Sequence, residues 1–517
     1  MLDYLGINRS EVDLIIRFVV KSKVKRGEAL MKKLKVLFVA AEADGLIKVG
    51  GLGDVAGELP SKLAGLGADV WLIMPAYQGI DAPARYITDF PVRMGSREET
   101  CVIKETSNSS IKTLLVENSR YFGRPSVYGY DDDPERFAFF CLAVFTLLKS
   151  LDFKPDVIHL NDWHTAPLAM LIRENSDQNP LYSSYAIVFT IHSLVYQGVC
   201  GRDVFKLYGV GDAVYKPERV EYFGAFNPMK AGIYYADRIT TVSETGARDM
   251  MSKEFGFGLE GFIANRKDSI CGVVNGIDFL KWDPASDAAL FRQYSAENPE
   301  LKRENKVKLQ KELGLIATEA PLFGVVSRLA EVKGIDLLIP AIKQIVKDGG
   351  QIVVLGKGDL YYEQALKFLQ EDYPENVAVR LAFDDRLARR IYAASDMFLM
   401  PSRYEPCGLS QLIAMRYGAV PVVHKVGGLA DTVLDETAHE GAGTGFSFET
   451  YSPQGLIRAI KKCIRLYKTD KEKWEGLVKR AMAHDSSWEK SAGIYMSIYR
   501  EAVKIRRQES GAGSQNS

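Results

Sequence analysis

The chain alternates short apolar runs with longer segments in which apolar residues recur at helical spacing. Such runs, rich in valine and isoleucine and bounded by turn residues, indicate buried strands of parallel sheets covered by helices. The pattern starts afresh halfway along the chain, which favours two doubly wound α/β domains in tandem over one large sheet. The predicted strands are 35–41, 69–74, 156–160, 185–191 and 238–243 in the first set, and 322–327, 351–356, 377–382, 396–400 and 419–423 in the second.

A turn-rich segment, 274–284, separates the two sets of strands and marks the domain junction. Beyond the second set, apolar residues such as Trp488 and Tyr495 recur near helical spacing, so this helix must cover another surface. At the other end, the apolar run 12–20 is too short to span a bilayer, and we expect residues 1–31 to be a non-catalytic extension. The remaining predicted divisions are a first domain over 32–275, a second domain over 276–486, a helix over 487–507 that packs back on the first domain, and a flexible tail over 508–517.

Composition limits the function classes that fit the chain. With 517 residues, 47% apolar and 26% charged, it is typical of a globular protein with more than one core. Its 66 basic side chains balance its 66 acidic ones, so no overall field favours nucleic acid or an anionic membrane. Six cysteines without metal-ligand or disulfide-framework spacing favour a reduced, cytoplasmic chain. The acidic run Asp131–Asp133 lacks flanking ligands and is interpreted as a charged loop, so no metal is expected.

A glycine-rich stretch, Lys48-Val-Gly-Gly-Leu-Gly-Asp54, follows the first predicted strand and leads into a helical pattern over 55–64. Strand, glycine loop and helix start form the setting in which backbone N–H groups and a helix dipole contact a phosphate. The glycines allow the main chain to approach a ligand closely, and Lys48 adds a mobile positive charge. The stretch predicts contact with a phosphate or a sugar, although a glycine loop can also simply turn the chain.

Polar residues follow the strands of the first set at the edge where open parallel sheets bind ligands. Asp162 and His164 follow the third predicted strand, and His192 follows the fourth. The mouth positions of Asp162 and His192 favour a functional role over a structural one. For His164 both interpretations stay open, and His159, inside its strand, is interpreted as structural.

The second set of strands is followed by a second group of candidates. Arg328 and Lys333 lie on a loop that should open a helix, where two cations could cradle a diphosphate without a metal. Glu405 precedes a proline and a glycine, a rigid helix entry that holds its carboxylate near the cleft, and Gly408 could face a phosphate. Cys407 has no histidine nearby in sequence to activate it, so a packed or substrate-lining thiol is favoured over a nucleophile.

Seven segments, taken in order, resemble the bacterial glycogen synthases and plant starch synthases. The resemblance leaves out only the two ends of the chain. Each motif alone is of moderate specificity, but seven in the same order make the resemblance specific. The segments are Lys48–Asp54, Asn161–His164, Phe189–Gly198, Lys230–Asp237, Val274–Asp278, Ser327–Gly334 and Pro401–Leu409.

The resemblance implies a GT-B architecture, in which two Rossmann-like doubly wound domains face a central cleft. It implies transfer of glucose from ADP-glucose to the 4-OH at the non-reducing end of an α-1,4-glucan, with retention of configuration. Arg328 and Lys333 would bind the donor diphosphate. His192 and Asp162 would hold the glucosyl unit, and Glu405 would face it from the second domain, which completes the implied catalytic set.

The resemblance also implies a wider set of binding residues. Lys48 and the backbone of Gly50 and Gly51 would approach phosphate and sugar, and the ring of Phe383 would stack on the base. Tyr128 and His164 are placed on the acceptor side. The full set of implied donor contacts is Lys48, Gly50, Gly51, Asp54, Phe383, Cys407, Gly408 and Leu409.

The expected chemistry explains why cations and carboxylates are found among these candidate residues. As the nucleotide diphosphate leaves, negative charge grows on an oxygen, and preorganised cations such as Arg328 and Lys333 stabilise it. A covalent double displacement needs a nucleophilic carboxylate close to the anomeric carbon, and no residue is a compelling candidate. We therefore favour attack on the same face as the leaving phosphate, which helps to take up the acceptor proton.

Two positions depart from the family pattern. Ile413 stands eight residues after Glu405, where many retaining GT-B transferases have a second glutamate, and this favours the ADP-glucose branch. Glu244 and Gly246 stand where that branch usually has a proline and a tyrosine, so local contacts on the acceptor side are expected to differ.

Other function classes fit the sequence less well. A dinucleotide dehydrogenase could use Gly51–Gly57 as its fingerprint, but no acid follows the second predicted strand to hold a ribose. A glucan-binding protein without activity is disfavoured by the intact Arg328, Lys333 and Glu405. Within the transferases, UDP-glucose as donor or a different acceptor is the nearest competitor, because few residues read the base. A monomer or a small homo-oligomer is expected.

Overall fold

The computed structural model describes residues 33–106 and 111–512, so the expectation for residues 1–31 lies outside the described residues. The strands of the first half are β1 Lys35–Val39, β2 Asp69–Pro75, β3 Ala84–Met94, β4 Arg97–Thr106, β5 Lys112–Glu117, β6 Val157–Asn161, β7 Ala186–Ile191, β8 Glu221–Tyr222, β9 Ala225–Phe226, β10 Arg238–Thr241 and β11 Ile270–Gly272. The helices of this half are α1 Gly51–Gly65, α2 Ser119–Phe122, α3 Asp133–Ser150, α4 Pro167–Glu174, α5 Pro180–Ser184, α6 Arg202–Leu207, α7 Pro228–Tyr235, α8 Glu244–Asp249 and α9 Glu260–Ala264.

The second half repeats the alternation of strands and helices. Its strands are β12 Leu322–Val326, β13 Gln351–Leu355, β14 Val377–Arg380, β15 Met397–Met400, β16 Val420–His424 and β17 Phe446–Phe448. Its helices are α10 Lys302–Leu313, α11 Ile335–Lys347, α12 Leu360–Asp372, α13 Asp385–Ala394, α14 Ser410–Arg416, α15 Gly427–Thr432, α16 Pro453–Thr469, α17 Lys471–Ala483 and α18 Trp488–Ala512. Short 3₁₀ turns lie at Ser176–Gln178, Asp212–Val214, Lys267–Ser269, Pro299–Leu301 and Glu331–Lys333.

The first sheet has nine strands in the order β11-β10-β7-β6-β1-β2-β5-β4-β3. The five strands predicted for this half are present and lie parallel to their neighbours. The sequence prediction missed an antiparallel extension, in which β4 pairs with both β3 and β5. Most side chains of β3 are exposed or half-buried, so this strand lacks the continuous apolar run of a buried parallel strand.

The second sheet has six parallel strands in the order β14-β13-β12-β15-β16-β17. It contains all five strands predicted for this half, and it adds β17, whose three residues are too short to stand out in the sequence. Two Rossmann-like parallel sheets, each covered by helices, confirm the predicted fold class. A separate two-stranded hairpin of β8 and β9 projects from the first half.

The two halves have separate apolar cores. Val273 packs in the first core and Ile277 in the second, so the chain passes between them within the turn-rich segment. The last helix, α18, returns to the first core, where Trp488 and Tyr499 are buried. The Tyr499 hydroxyl lies 2.7 Å from His159 Nδ1, which confirms the structural interpretation of His159.

Helix α18 is longer than the sequence pattern suggested. It continues to Ala512, so residues 508–512 are helical and the prediction of a flexible tail was wrong for them. The rest of that tail lies outside the described residues. No helix in the described part of the chain is both long enough and apolar enough to cross a membrane.

The sheet topology decides which loops meet. Strands β1, β6, β7 and β10 are neighbours in parallel register, so the residues that follow them share one edge of the first sheet. Strands β12, β15 and β16 are likewise neighbours in the second sheet. Ligand sites of parallel sheets lie at these carboxyl edges.

Candidate active site

Asp162 and His192 meet at the carboxyl ends of β6 and β7. Asp162 Oδ1 accepts hydrogen bonds from the backbone N–H groups of His192 at 2.7 Å and Ser193 at 3.4 Å. Asp162 has a positive φ of 55°, which residues with a side chain rarely adopt. Burial raises the pKa of Asp162 to about 7, because desolvation outweighs the two N–H donors.

Asn161 fixes the orientation of the His192 ring. Asn161 Nδ2 donates to the carbonyl oxygen of Val39 at 3.0 Å, so Asn161 Oδ1 faces His192 Nε2 as an acceptor at 2.9 Å. This arrangement places the ring proton on Nε2 and leaves a lone pair on Nδ1. Burial lowers the pKa of His192 to about 3, so the ring is neutral at physiological pH. A neutral imidazole of this kind can accept a hydrogen bond from a sugar hydroxyl.

His164 and Tyr128 form an aromatic wall beside this pair. The His164 ring packs 4.9 Å from the Tyr128 ring and 4.2 Å from the Trp163 ring, measured between centroids. Burial lowers the pKa of His164 to about 3, and His164 Nδ1 has no hydrogen-bond partner among the described residues. The structure thus packs these two predicted acceptor-side residues against each other.

Glu42 holds the glycine loop in place. Its Oε2 accepts hydrogen bonds from the backbone N–H groups of Val49 and, at 3.0 Å, Gly50. Its Oε1 accepts from the Tyr128 hydroxyl at 3.3 Å. Burial raises the pKa of this carboxyl although the hydrogen bonds oppose the effect. Because the Gly50 N–H is bound to Glu42, Gly50 does not offer this donor to a phosphate in this arrangement.

Lys48 and Asp54, both predicted to contact the donor, pair with each other at 2.5 Å. Asp54 also belongs to a group with Asp44 and Glu58 whose carboxylate oxygens lie within 4.8 Å of one another, close enough to hold a metal ion. Lys281 from the second half pairs with Asp44 at 2.5 Å. Two lysine ammonium groups therefore already face these acids. Burial raises the pKa of Glu58 to about 8.

Two acids of the loop 131–133 pair with arginines. Asp132 forms two hydrogen bonds of 2.6 Å with the guanidinium of Arg124. Asp133 pairs with Arg136, whose side chain is fully buried. These arginines neutralise two of the three acids, in agreement with the interpretation as a charged loop.

Lys333 and Glu405 are joined directly across the second sheet's edge. Lys333 Nζ lies 2.6 Å from Glu405 Oε2, which also accepts a hydrogen bond from the Ser402 hydroxyl at 3.0 Å. Glu405 is buried, whereas Arg328 is exposed and forms no ion pair within the described residues. The loop therefore carries an unpaired guanidinium and, five residues further on, a lysine that a carboxylate orients.

Two close backbone approaches fix the loops that carry these residues. Gly334, with a φ of 74°, leaves no room for a side chain, since a Cβ would lie 2.1 Å from the Pro401 carbonyl oxygen. The N–H of Arg403 donates to the carbonyl oxygen of Val332 at 3.0 Å. The residues on both sides of Lys333 are thus in contact with the loop that carries Glu405.

Of the predicted donor contacts that follow Glu405, Cys407 is buried, and Gly408 and Leu409 are half-buried. Burial raises the pKa of the Cys407 thiol to about 12, and the thiol lies beside the backbone of Asn275, as expected for a packed cysteine. Gly408 has a φ of 75°, and Leu409 directly precedes helix α14. By contrast, Phe383 is 87% exposed on the loop after β14 and has no aromatic neighbour among the described residues.

The two halves contact each other beside this site. The Tyr404 hydroxyl lies next to the backbone of Leu194, and burial, with a smaller effect from the charge of Asp162, raises its pKa. Ser243 Oγ donates to the Pro406 carbonyl oxygen at 2.5 Å. Thr245 Oγ1 donates to Asp431 Oδ1, also at 2.5 Å. The candidates from both sheets therefore face one cleft.

Two residues that depart from the family pattern lie beside these contacts. Glu244 and Gly246 lie in helix α8, which packs against helix α15 of the second half. Gly246 is buried, and its N–H is capped by Ser243 Oγ at 3.0 Å. The unusual residues thus lie where the halves meet, and the expected difference in acceptor-side contacts stays a prediction.

Four residues with clear roles in this geometry had no role in the sequence interpretation: Glu42, Asn161, Ser402 and Tyr404. Each lies at or just beyond the end of a strand, so strand-end position was an available signal for all four. Lys48, Arg328 and Lys333 supply positive charge, and Asp162 and Glu405 are buried acceptors beyond strand ends. This combination suits an anionic ligand joined to a hydroxyl-rich one.

Comparison with known proteins identifies the family and the fold. Residues 35–265 match the family model of the starch synthase catalytic domain, and residues 307–476 match that of the glycosyl transferases group 1. A glycogen synthase from Moorella thermoacetica is 43% identical over 479 residues, which covers 92% of this chain and 98% of the relative. A glycogen synthase from Desulforudis audaxviator is 42% identical over 494 residues, covering 93% and 99%.

Solved structures agree with these matches. The catalytic domain of starch synthase IV from Arabidopsis thaliana, bound to ADP and acarbose, superposes with a TM-score of 0.85 at 34% identity and covers 92% of this chain and 100% of that one. A sucrose-phosphate synthase from Thermosynechococcus elongatus shares the fold, with a TM-score of 0.58 at 18% identity over 91% of this chain and 99% of its own. The chain belongs to the glycogen synthase and starch synthase family of glycosyltransferases.

Proposed function

We propose that this glucosyltransferase transfers glucose from ADP-glucose to the non-reducing 4-OH of an α-1,4-glucan, with retention of configuration. The proposal rests mainly on the Lys333–Glu405 pair of 2.6 Å, on a loop that also carries the unpaired guanidinium of Arg328. Two cations on one loop, one of them held by a buried carboxylate, suit a sugar diphosphate donor. The ADP and acarbose bound to the related starch synthase IV support an adenine nucleotide.

Arg328 and Lys333 are proposed to stabilise the charge that develops on the leaving diphosphate. Glu405 keeps Lys333 in position and places negative charge near the sugar, which becomes positive in the transition state. His192 accepts a hydrogen bond from a sugar hydroxyl through its neutral ring. Lys48 approaches from the first half as a contact to donor or acceptor when the cleft closes.

The hydrogen bonds of the two central carboxylates argue against a covalent intermediate. Asp162 Oδ1 is held by two backbone N–H groups, and Glu405 is bound to Lys333 and Ser402. We therefore propose attack by the acceptor on the face of the leaving phosphate, which takes up the acceptor proton. A glycosyl-enzyme trapped and detected by mass spectrometry would overturn this mechanism.

We further propose that the reaction needs no metal, since Lys48 and Lys281 already face the acid group of Asp44 and Asp54. Transfer should persist in EDTA, and its loss with recovery on adding Mg²⁺ would refute the proposal.

A cytoplasmic location and a monomeric or small homo-oligomeric state belong to the same proposal.

UDP-glucose is the second candidate donor, because the expected base platform, Phe383, is 87% exposed and leaves the base edges open. The deciding experiment supplies ADP-glucose and UDP-glucose separately with a glycogen primer and measures incorporated glucose. Faster incorporation from ADP-glucose supports the proposal, and faster incorporation from UDP-glucose selects the second candidate. The anomeric configuration of the product, read by NMR, tests retention.

A further inference from the structure

Three non-glycine residues have a positive φ within the described chain: Asp162 at 55°, Phe223 at 50° and Phe257 at 49°. Asp162 belongs to the candidate active site. The other two are aromatic residues, and Phe223 is 90% exposed, whereas Phe257 is 37% exposed. Strained backbone conformations cluster at functional sites, so the two phenylalanines call for an explanation.

Phe223 stands at the tip of the hairpin formed by β8 and β9. Tyr222 pairs with Ala225, so Phe223 and Gly224 form a two-residue turn, and both have positive φ. A turn of this kind favours asparagine followed by glycine. A phenylalanine in the first position is unfavourable for two reasons. Its bulky side chain disfavours a positive φ, and its apolar ring is exposed to water. Phe223 is therefore expected to make the folded chain less stable than the favoured asparagine would. An exposed aromatic residue in such a backbone conformation indicates a binding role.

Phe257 connects the hairpin with the active-site cleft. Its ring lies 5.4 Å from the ring of Tyr404, the neighbour of Glu405, at an interplanar angle of 77°. Its carbonyl oxygen accepts a hydrogen bond from Gln197 Nε2 at 3.0 Å. On the other side, a Cβ at Gly258 would lie 2.2 Å from the Tyr222 hydroxyl. Aromatic side chains thus extend from Tyr404, the neighbour of Glu405, through Phe257 towards the hairpin.

The loop that leaves β7 borders the same surface. It starts at His192, passes Leu194 beside Tyr404, and reaches Gln197 beside Phe257. Between and beyond these contacts it exposes apolar side chains, with Tyr196 58% exposed. We call the following set the aromatic platform: Val195, Tyr196, Val199, Phe223 and Phe257.

We propose that the aromatic platform binds the acceptor glucan away from its reacting end, and this identity of the ligand rests on the proposed function. A pyranose ring has apolar C–H faces and a rim of hydroxyl groups. It can pack on an exposed aromatic ring while its hydroxyls stay in water. The platform is continuous with the loop that carries His192, so a chain entering the cleft would pass over it.

The test uses Phe223→Asn, which suits the turn and should keep or raise the melting temperature. Calorimetry measures the binding of maltoheptaose and of maltose to the full chain without donor. We expect the variant to weaken maltoheptaose binding by about fivefold, with a smaller effect on maltose. Phe368→Ala, which removes an aromatic that is 64% exposed on helix α12, is the matched control and should bind both like the wild type.

Tyr196→Ser is a second variant, expected to weaken maltoheptaose binding in the same way. Wild-type maltoheptaose affinity in both variants would overturn the proposal. A loss of self-association by Phe223→Asn in sedimentation, with unchanged glucan affinity, would show a protein interface instead and also overturn it. The binding measurement needs no turnover, so it does not depend on whether the wild type transfers glucose. Absent glucose transfer by the wild type would instead refute the proposed function.

Discussion

Lys333 Nζ lies 2.6 Å from Glu405 Oε2, which joins the loop after β12 to the loop after β15. The two strands are neighbours in the second sheet, so the pairing follows from the topology. The carboxylate holds the flexible lysine in one direction before a ligand arrives. Such preorganisation is the source of much of the transition-state stabilisation by charged groups in enzymes.

Asn161 should control the protonation of His192. Asn161→Asp places a carboxylate where the amide oxygen lies 2.9 Å from His192 Nε2, and a nearby negative charge raises the pKa of histidine. We expect the variant to lose activity on going from pH 8.5 to pH 6, as the ring becomes charged and its Nδ1 stops accepting. Rates across this range measure the effect, with Asn161→Ala as the uncharged comparison. An identical pH profile in the Asp and Ala variants would contradict the assigned hydrogen bond.

Asp162 should make stability depend on pH. Its folded-state pKa of about 7 lies above the ordinary value of 3.8. Between these values the folded chain keeps a proton that the unfolded chain has lost, so this contribution to stability falls as the pH rises.

Asp162→Asn removes this ionisation and keeps an acceptor oxygen for the two N–H groups. Relative to the wild type, the variant should gain stability between pH 4 and pH 8, by at most about 4 kcal/mol. Denaturant unfolding at several pH values measures the difference. The exposed Asp81→Asn is the control, and equal differences at all pH values would show that Asp162 is not a buried, protonated acid.

The sequence predicted the parallel strands well because their apolar runs are continuous, as in β7 and β13, where every residue is buried. It missed β3 because that strand is mostly exposed and its partners are set by antiparallel pairing. It placed Lys333 and Glu405 at strand ends, but their contact depends on β12 and β15 being neighbours. The position of Glu42 just beyond β1 was a signal in the sequence, but its contacts depend on how the glycine loop folds back over the end of that strand.

Glu42 should position the glycine loop through its two backbone hydrogen bonds. Glu42→Gln keeps an oxygen for the Val49 and Gly50 N–H groups, and its amide can donate to the Tyr128 hydroxyl. Glu42→Ala leaves these buried donors without a partner, which costs about 1–3 kcal/mol.

We therefore expect Glu42→Ala to lower both the stability and kcat, and Glu42→Gln to restore most of each. Tyr128→Phe removes only the third hydrogen bond and should have a smaller effect. Denaturant unfolding and initial rates compare the three variants. A glutamine variant as impaired as the alanine variant would show that the charge of Glu42 matters, and not its position.

The most direct test of the central claim is the kcat for glucose transfer from ADP-glucose to glycogen in the wild type, Arg328→Ala and Lys333→Ala. Lys343→Ala, an exposed lysine on helix α11, is the control. We expect transfer by the wild type and the control, and a loss of about a hundredfold to a thousandfold in each of the other two variants. No transfer by the wild type, or losses within a few-fold in Arg328→Ala and Lys333→Ala, would contradict it.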